Sequence, residues 1–152
     1  MSWQRPRCGL AEKRYDHEKR VQERVIVEVV IIRAAVTGRV VAERVLVART
    51  LWRRMIGLLD RSSLAAGEAM LFPRCHAIHT CFMRFPIDVV FLKTVQGSRF
   101  QVQGARGVVV KVVSQMKPFK FAAAWGADTV IELPAGAIAQ AGLNTGELVD
   151  IT

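Results

Sequence analysis

The sequence predicts a small, mainly β domain: a compact barrel or sandwich of seven or eight short strands with two short helices. Three observations predict it. Runs rich in β-branched residues recur at 25–36, 40–48, 89–92, 108–113 and 130–133. Turn signals separate them, including Thr37-Gly38, Gln96-Gly97-Ser98, Lys117-Pro118 and Asn144-Thr145-Gly146. A chain of 152 residues, 51% of them hydrophobic, supplies one core of ordinary domain size.

Residues 1–24 are polar and charged without periodicity and read as a flexible basic leader, leaving 25–152 as the domain. Val25–Val36 and Val40–Ala48 form a predicted hairpin about Thr37-Gly38, with Glu43 and Arg44 on a wet face. Thr50 can cap a short helix over Leu51–Leu59, burying Leu51, Met55, Leu58 and Leu59. Ala69–Phe72 is a short strand ended by Pro73. Cys75–Phe85 reads as extended, and Val89–Leu92 as a buried strand. Arg99–Gln103 is a short arm between two turns, and Val108–Val113 the strand that follows. Phe119–Trp125 is ambiguous, since its alanines suit a helical turn and its pattern suits an extended segment. Val130–Leu133 is a strand, Ala135–Ala141 a short helix ended by Gly142, and Glu147–Ile151 the last strand.

Composition narrows the function classes. No eighteen-residue apolar window exists and no secretory signal pattern opens the chain, so a cytoplasmic protein without a membrane span is expected. Three cysteines, Cys8, Cys75 and Cys81, do not make a disulfide framework and suit a reducing compartment. The formal charge of +9 is shared: seven Lys and Arg against four Asp and Glu in 1–24, fifteen against nine in the rest. Such a balance attracts polyanions in general. We find no RNA-binding motif and no interleaving of aromatic with basic residues, which argues against nucleic acid as the partner.

Chemistry concentrates in CHAIHTCFMRFPIDVVFL, residues 75–92. If Cys75–Phe85 is extended, Cys75, His79, Cys81 and Met83 share one face. Those are soft ligands suited to zinc or copper(I), but a second ligand pair is missing unless Cys8 and His17 supply it. The metal set therefore falls short, and no cofactor is assigned. A nucleophile–base pair drawn from Cys81 or Cys75 with His79 or His76 lacks a recognisable oxyanion hole or orienting carboxylate. No catalytic residue is assigned. A polar pocket remains, in which Phe85-Pro86-Ile87 bends so that Arg84 meets Asp88. There Arg84, aided by Arg54, would grip an anion, His79 would donate a hydrogen bond, and Asp88 would orient Arg84. Met83 and Trp125 complete the candidate ligand-binding set, with Trp125 as an aromatic wall. The expected ligand is a small anion or a peptide-like partner. The alternatives are a hydrolase or metal-dependent enzyme using His79 and Cys81, and a basic nucleic-acid binder.

IHTCFMRFPIDVVFL closely resembles the signature of the domain of unknown function 192 family, with its Met-Arg pair, Pro-Ile-Asp bend and apolar strand. Arg54, Gly57 and Leu58 in WRRMIGLL resemble that family's earlier R-x-x-G-L element. Ala69–Phe72, VVVKVVSQMKPF and IELPAGAIAQAGLNTGELVDI resemble its remaining blocks, so the likeness runs from about Val40 to Ile151. It implies a compact β-rich fold with short helices and no established biochemical activity. Two departures stand out: Lys93 replaces a frequent aspartate, and the hairpin over Thr94–Gly107 is longer than usual. Many relatives carry export signals, and none is evident here.

Overall fold

The computed structural model describes residues 30–49, 58, 61–96 and 102–152. Within it lie β1 (Ile32–Ala34), β2 (Val40–Ala42), β3 (Arg44–Val47), β4 (Glu68–Pro73) and β5 (Ala77–His79). The chain continues through β6 (Ile87–Gln96), β7 (Ala105–Met116), β8 (Phe121–Ala123), β9 (Thr129–Pro134), α1 (Ala137–Ala141) and β10 (Leu148–Ile151). Eight strands form one sheet in the order β2-β1-β10-β7-β6-β9-β4-β3, and β5 pairs with β8 in a separate two-stranded ribbon. The mainly β expectation holds. The architecture is sandwich-like rather than a closed barrel.

The predicted hairpin about Gly38 forms, with β1 antiparallel to β2. Its second arm is not one strand, however. It breaks at Glu43, after which β3 runs parallel to β4 at the opposite edge of the sheet. Consecutive strands at opposite edges require the sheet to curl until both edges approach residue 43. There the N–H groups of Glu43 and Arg44 both donate to the Gly67 carbonyl, at 2.8 and 3.0 Å. In the sequence Glu43 and Arg44 read instead as the wet face of a single arm.

Alternation along β4, β6 and β9 buries both faces. Ala69 and Leu71 of β4, Val90 and Leu92 of β6, and Ile131 and Leu133 of β9 enter one apolar layer, closed by β1, β10 and Ile138 of α1. Met70, Phe72, Ile87, Val89, Phe91 and Val130 enter the other, which Ile78, Ala122 and Ala124 of the ribbon segment cover. Burial on both faces explains why Ile87–Leu92 reads as a nearly unbroken apolar run. The strands β6 and β7 extend well beyond the predicted Val89–Leu92 and Val108–Val113. The predicted helix over Leu51–Leu59 lies outside the described residues apart from Leu58, which is buried in the second layer. The leader and most of the 99–103 arm also lie outside them.

Lys93, the unusual residue after FL, has a partner. Its Nζ lies 3.3 Å from Asp128 Oδ2, while the Thr94 N–H and hydroxyl donate to Asp128 Oδ1 at 2.9 and 2.8 Å. Burial would raise the Asp128 pKa, but the Thr94 and Lys93 hydrogen bonds outweigh it and hold the carboxyl below its ordinary value.

Candidate functional site

The predicted extended run Cys75–Phe85 is strand only over Ala77–His79; a turn at Cys81-Phe82 ends it. Alternation past His79 therefore fails, and with it the shared face of soft ligands. Cys75 is half-buried and donates its Sγ–H to the Ala77 carbonyl at 3.0 Å. Met83 is buried in the apolar layer rather than lining a polar pocket, whereas His79 is exposed. Among the described residues no group of three His, Cys, Asp or Glu could hold a metal ion. His79 and Cys81 share no hydrogen bond among them either.

Asp88 also departs from its expected role. It is fully buried on β6, and both carboxylate oxygens are occupied by backbone N–H groups. Gln115 donates to Oδ1 at 2.8 Å; Gly136 and Ile138 donate to Oδ2 at 3.0 and 2.9 Å. Asp88 thus caps the start of α1 and pins a left-handed kink at Gln115 (φ 50°) in β7. Gly136 makes this possible, because its φ of 94° is open to glycine and strained for a side chain. Arg84 is exposed and makes no ion pair among the described residues. The structure therefore does not bring His79, Arg84 and Asp88 into one pocket. Arg54 lies outside the described residues.

What the structure does assemble is the ribbon. In β5–β8, Ala77 stands opposite Ala123, Ile78 opposite Ala122, and His79 opposite Phe121. Ile78 and Ala122 face the core, so Ala77, Ala123, His79 and Phe121 face outward. Among the described residues, every aromatic one of the exposed large hydrophobics lies here: Phe82, Phe119, Phe121 and Trp125, between 65% and 86% accessible. Phe82 meets Phe119 edge-on at 5.7 Å at one end, and His76 lies 5.2 Å from Trp125 at the other. The segment Phe119–Trp125, ambiguous in the sequence, is extended over Phe121–Ala123 and presents the rings of Phe119, Phe121 and Trp125 to solvent.

Thr80, which no motif singles out, holds this arrangement. It is fully buried, and its hydroxyl donates to the Lys117 carbonyl at 2.7 Å and accepts from the Lys120 N–H at 3.0 Å. Its backbone N–H donates to the Lys120 carbonyl, and its carbonyl accepts from Phe119 and Met83. We expect Thr80→Val, which keeps the shape and removes the hydroxyl, to lower stability by about 2 kcal/mol by taking the partner from partly buried backbone groups of Lys117 and Lys120. A urea titration checks this; an unchanged midpoint would refute the role.

Phe82 and Phe119 also have left-handed backbones, at φ 65° and 59°. Such conformations cost a bulky residue roughly 1–3 kcal/mol and persist only where surrounding bonds impose them. Neither ring is buried enough to offset that cost.

Charge follows the rings. Residues 74–88 and 111–126 contain Arg74, Arg84, Lys111, Lys117 and Lys120, all exposed, and their one acidic residue is the sealed Asp88. The stretch Lys117-Pro118-Phe119-Lys120-Phe121 interleaves cations with rings, contrary to the expectation that the sequence lacks such a pattern. The lysines could have been noticed in the sequence. Their pairing with 77–79 could not. A separate open pocket of about 320 Å³ lies beside α1, lined by Arg39, Gly67, Ala135, Gln140 and Ala141 among others.

Fold and surface together define a small mainly β domain whose curled sheet carries an exposed aromatic and basic ribbon. The chain belongs to the domain of unknown function 192 family (DUF192), described as "Uncharacterized ACR", whose model matches residues 32–151. No curated protein matches it. Among solved structures it is similar to a protein of unknown function from Novosphingobium aromaticivorans DSM 12444. The two are 22% identical with a TM-score of 0.61, over 80% of this chain and 82% of that one. It is also similar to a putative transcription regulator from Sinorhizobium meliloti 1021, at 20% identity and a TM-score of 0.63, over 80% and 91% of the two chains. At these identities the likeness is one of fold. No helix among the described residues is long and apolar enough to cross a membrane.

Proposed function

We propose that the protein is a binding module that takes an anionic ligand on the β5–β8 ribbon. One observation carries the reading: exposed rings and exposed cations are interleaved in the two segments that build the ribbon, and neither segment carries an accessible carboxylate. Solvent-facing aromatic rings add nothing to a core, so their place on a rigid ribbon suits contact with another molecule. Arg84 keeps its expected role as an anion contact, joined now by Lys117 and Lys120. His79 acts beside Phe121 rather than beside Asp88. A peptide-like partner fits this surface if it is acidic.

Amide chemical-shift mapping with pyrophosphate and with poly-glutamate tests the reading. Shifts are expected at residues 76–84 and 117–125, with affinity lowered about tenfold by Arg84→Ala combined with Lys120→Ala. Shifts confined to the pocket beside α1, or no binding of either probe, would overturn it.

A further inference from the structure

Resting on that reading, we infer that the anionic ligand is a single-stranded nucleic acid whose bases stack on the ribbon's rings. Three features select this chemistry over other anions. First, the outward face presents planar groups in succession: the Phe82–Phe119 pair, then Phe121 with His79, then Trp125 with His76. The ribbon between Lys120 and Ala124 spans about 13 Å at the ordinary rise of a strand. That is the arrangement of a stacking platform, on which unpaired bases are held by their faces and need no edge recognition. Second, Ala77 and Ala123 form the outward pair between the Phe121–His79 pair and the Trp125–His76 contact. Small side chains there leave room for a base to lie flat between flanking rings. A compact inorganic anion or an acidic peptide would gain nothing from such a gap.

Third, the charges are placed for a backbone running past the rings. Lys117 and Lys120 flank Phe119, and Arg84 follows Phe82 by two residues. Few groups able to read base edges accompany them, so binding is expected to tolerate sequence. A duplex is disfavoured, because its bases are already stacked on one another and expose only edges and backbone. The two phenylalanines with left-handed backbones fit the same reading: both rings are exposed, and Arg84, Lys117 and Lys120 lie within two residues of them in the sequence.

Fluorescence anisotropy of a labelled thymidylate dodecamer with the full chain tests the inference. The single strand should bind at least about tenfold tighter than a duplex of equal length and than inorganic polyphosphate of matched charge. Phe121→Ala should weaken it by about fivefold to a hundredfold, the range for one base–ring stack. Phe119→Gly relieves the left-handed backbone and should therefore lower affinity while leaving the melting temperature unchanged or higher. Affinity should fall with salt at a logarithmic slope of about −2, for roughly three phosphates contacted. Suppose polyphosphate binds as tightly as the oligonucleotide, with ring substitutions silent while Arg84→Ala still weakens it. The nucleic-acid inference then fails and the anion-binding reading stands. If neither probe is affected by any ribbon substitution, both fail.

Discussion

Asp88→Ala is expected to cost about 3–5 kcal/mol, because it takes the acceptor from three backbone N–H groups at once, one buried and two partly buried. The loss is spread over two distant places. Gly136 and Ile138 lose the cap that starts α1, and Gln115 loses the acceptor that holds its left-handed kink. Against a typical total stability of roughly 5–15 kcal/mol, that is a large share. For a chain of this length the melting temperature should fall by about 10–20 °C. Asp88→Asn separates shape from charge: its amide can accept through one oxygen but turns donors toward donors at the other. It should recover only part of the loss. Chemical denaturation of both variants checks the order. An Asn variant as stable as the natural protein would show that the carboxylate is not what the three amides require.

The second large effect concerns Glu132, on β9 between Met70 of β4 and Val89 of β6. Its side chain shares the face of Val130, so it points into the apolar layer under the ribbon, and its Oε2 has no hydrogen-bond partner among the described residues. Burial pushes its pKa up to about 8. In the unfolded chain the group titrates near its ordinary value of 4.5. Below that value the carboxyl is neutral in both states and costs nothing extra. Between 4.5 and about 8 the unfolded chain ionises while the folded protein keeps its proton, so stability falls as pH rises. Above about 8 the folded form ionises too, and the loss levels off. Glu132→Gln removes this dependence. The variant should match the natural protein near pH 4 and exceed it near pH 9 by on the order of 4 kcal/mol. Denaturation midpoints of both proteins across that range decide it. Parallel curves would mean that Glu132 does not titrate between the two states.

Both residues show where sequence reasoning stops. The strands of the central sheet were legible because β-branched runs and turn residues are local signals. Asp88 was legible as important but not in its role. The Phe85-Pro86-Ile87 bend suggested Arg84 as partner, while the real partners lie at 115, 136 and 138, reached only through the sheet. Phe119–Trp125 was ambiguous because a run of alanines satisfies either helix or strand. What settles it is pairing with 77–79, about forty residues away, and that pairing turns the rings outward. The break at Glu43 was read as the wet face of one arm, since β-branched residues resume at Val45. Local chemistry announces elements; partners across the sheet assign side chains to core or surface.

The position of β10 bears on how the protein is made. It lies between β1 and β7, joining Ile32 to Ile151 and Ala105 to Ile151 in one register. The hairpin of β1 and β2 therefore has no neighbouring strand to join until β10 has been synthesised. On a ribosome, residues 68–134 can pair as β4, β9, β6 and β7 while the earlier hairpin waits. Contacts that span nearly the whole chain are slow to form and leave strand edges uncovered in the interval. For this protein that interval ends only when β10 reaches back to β1.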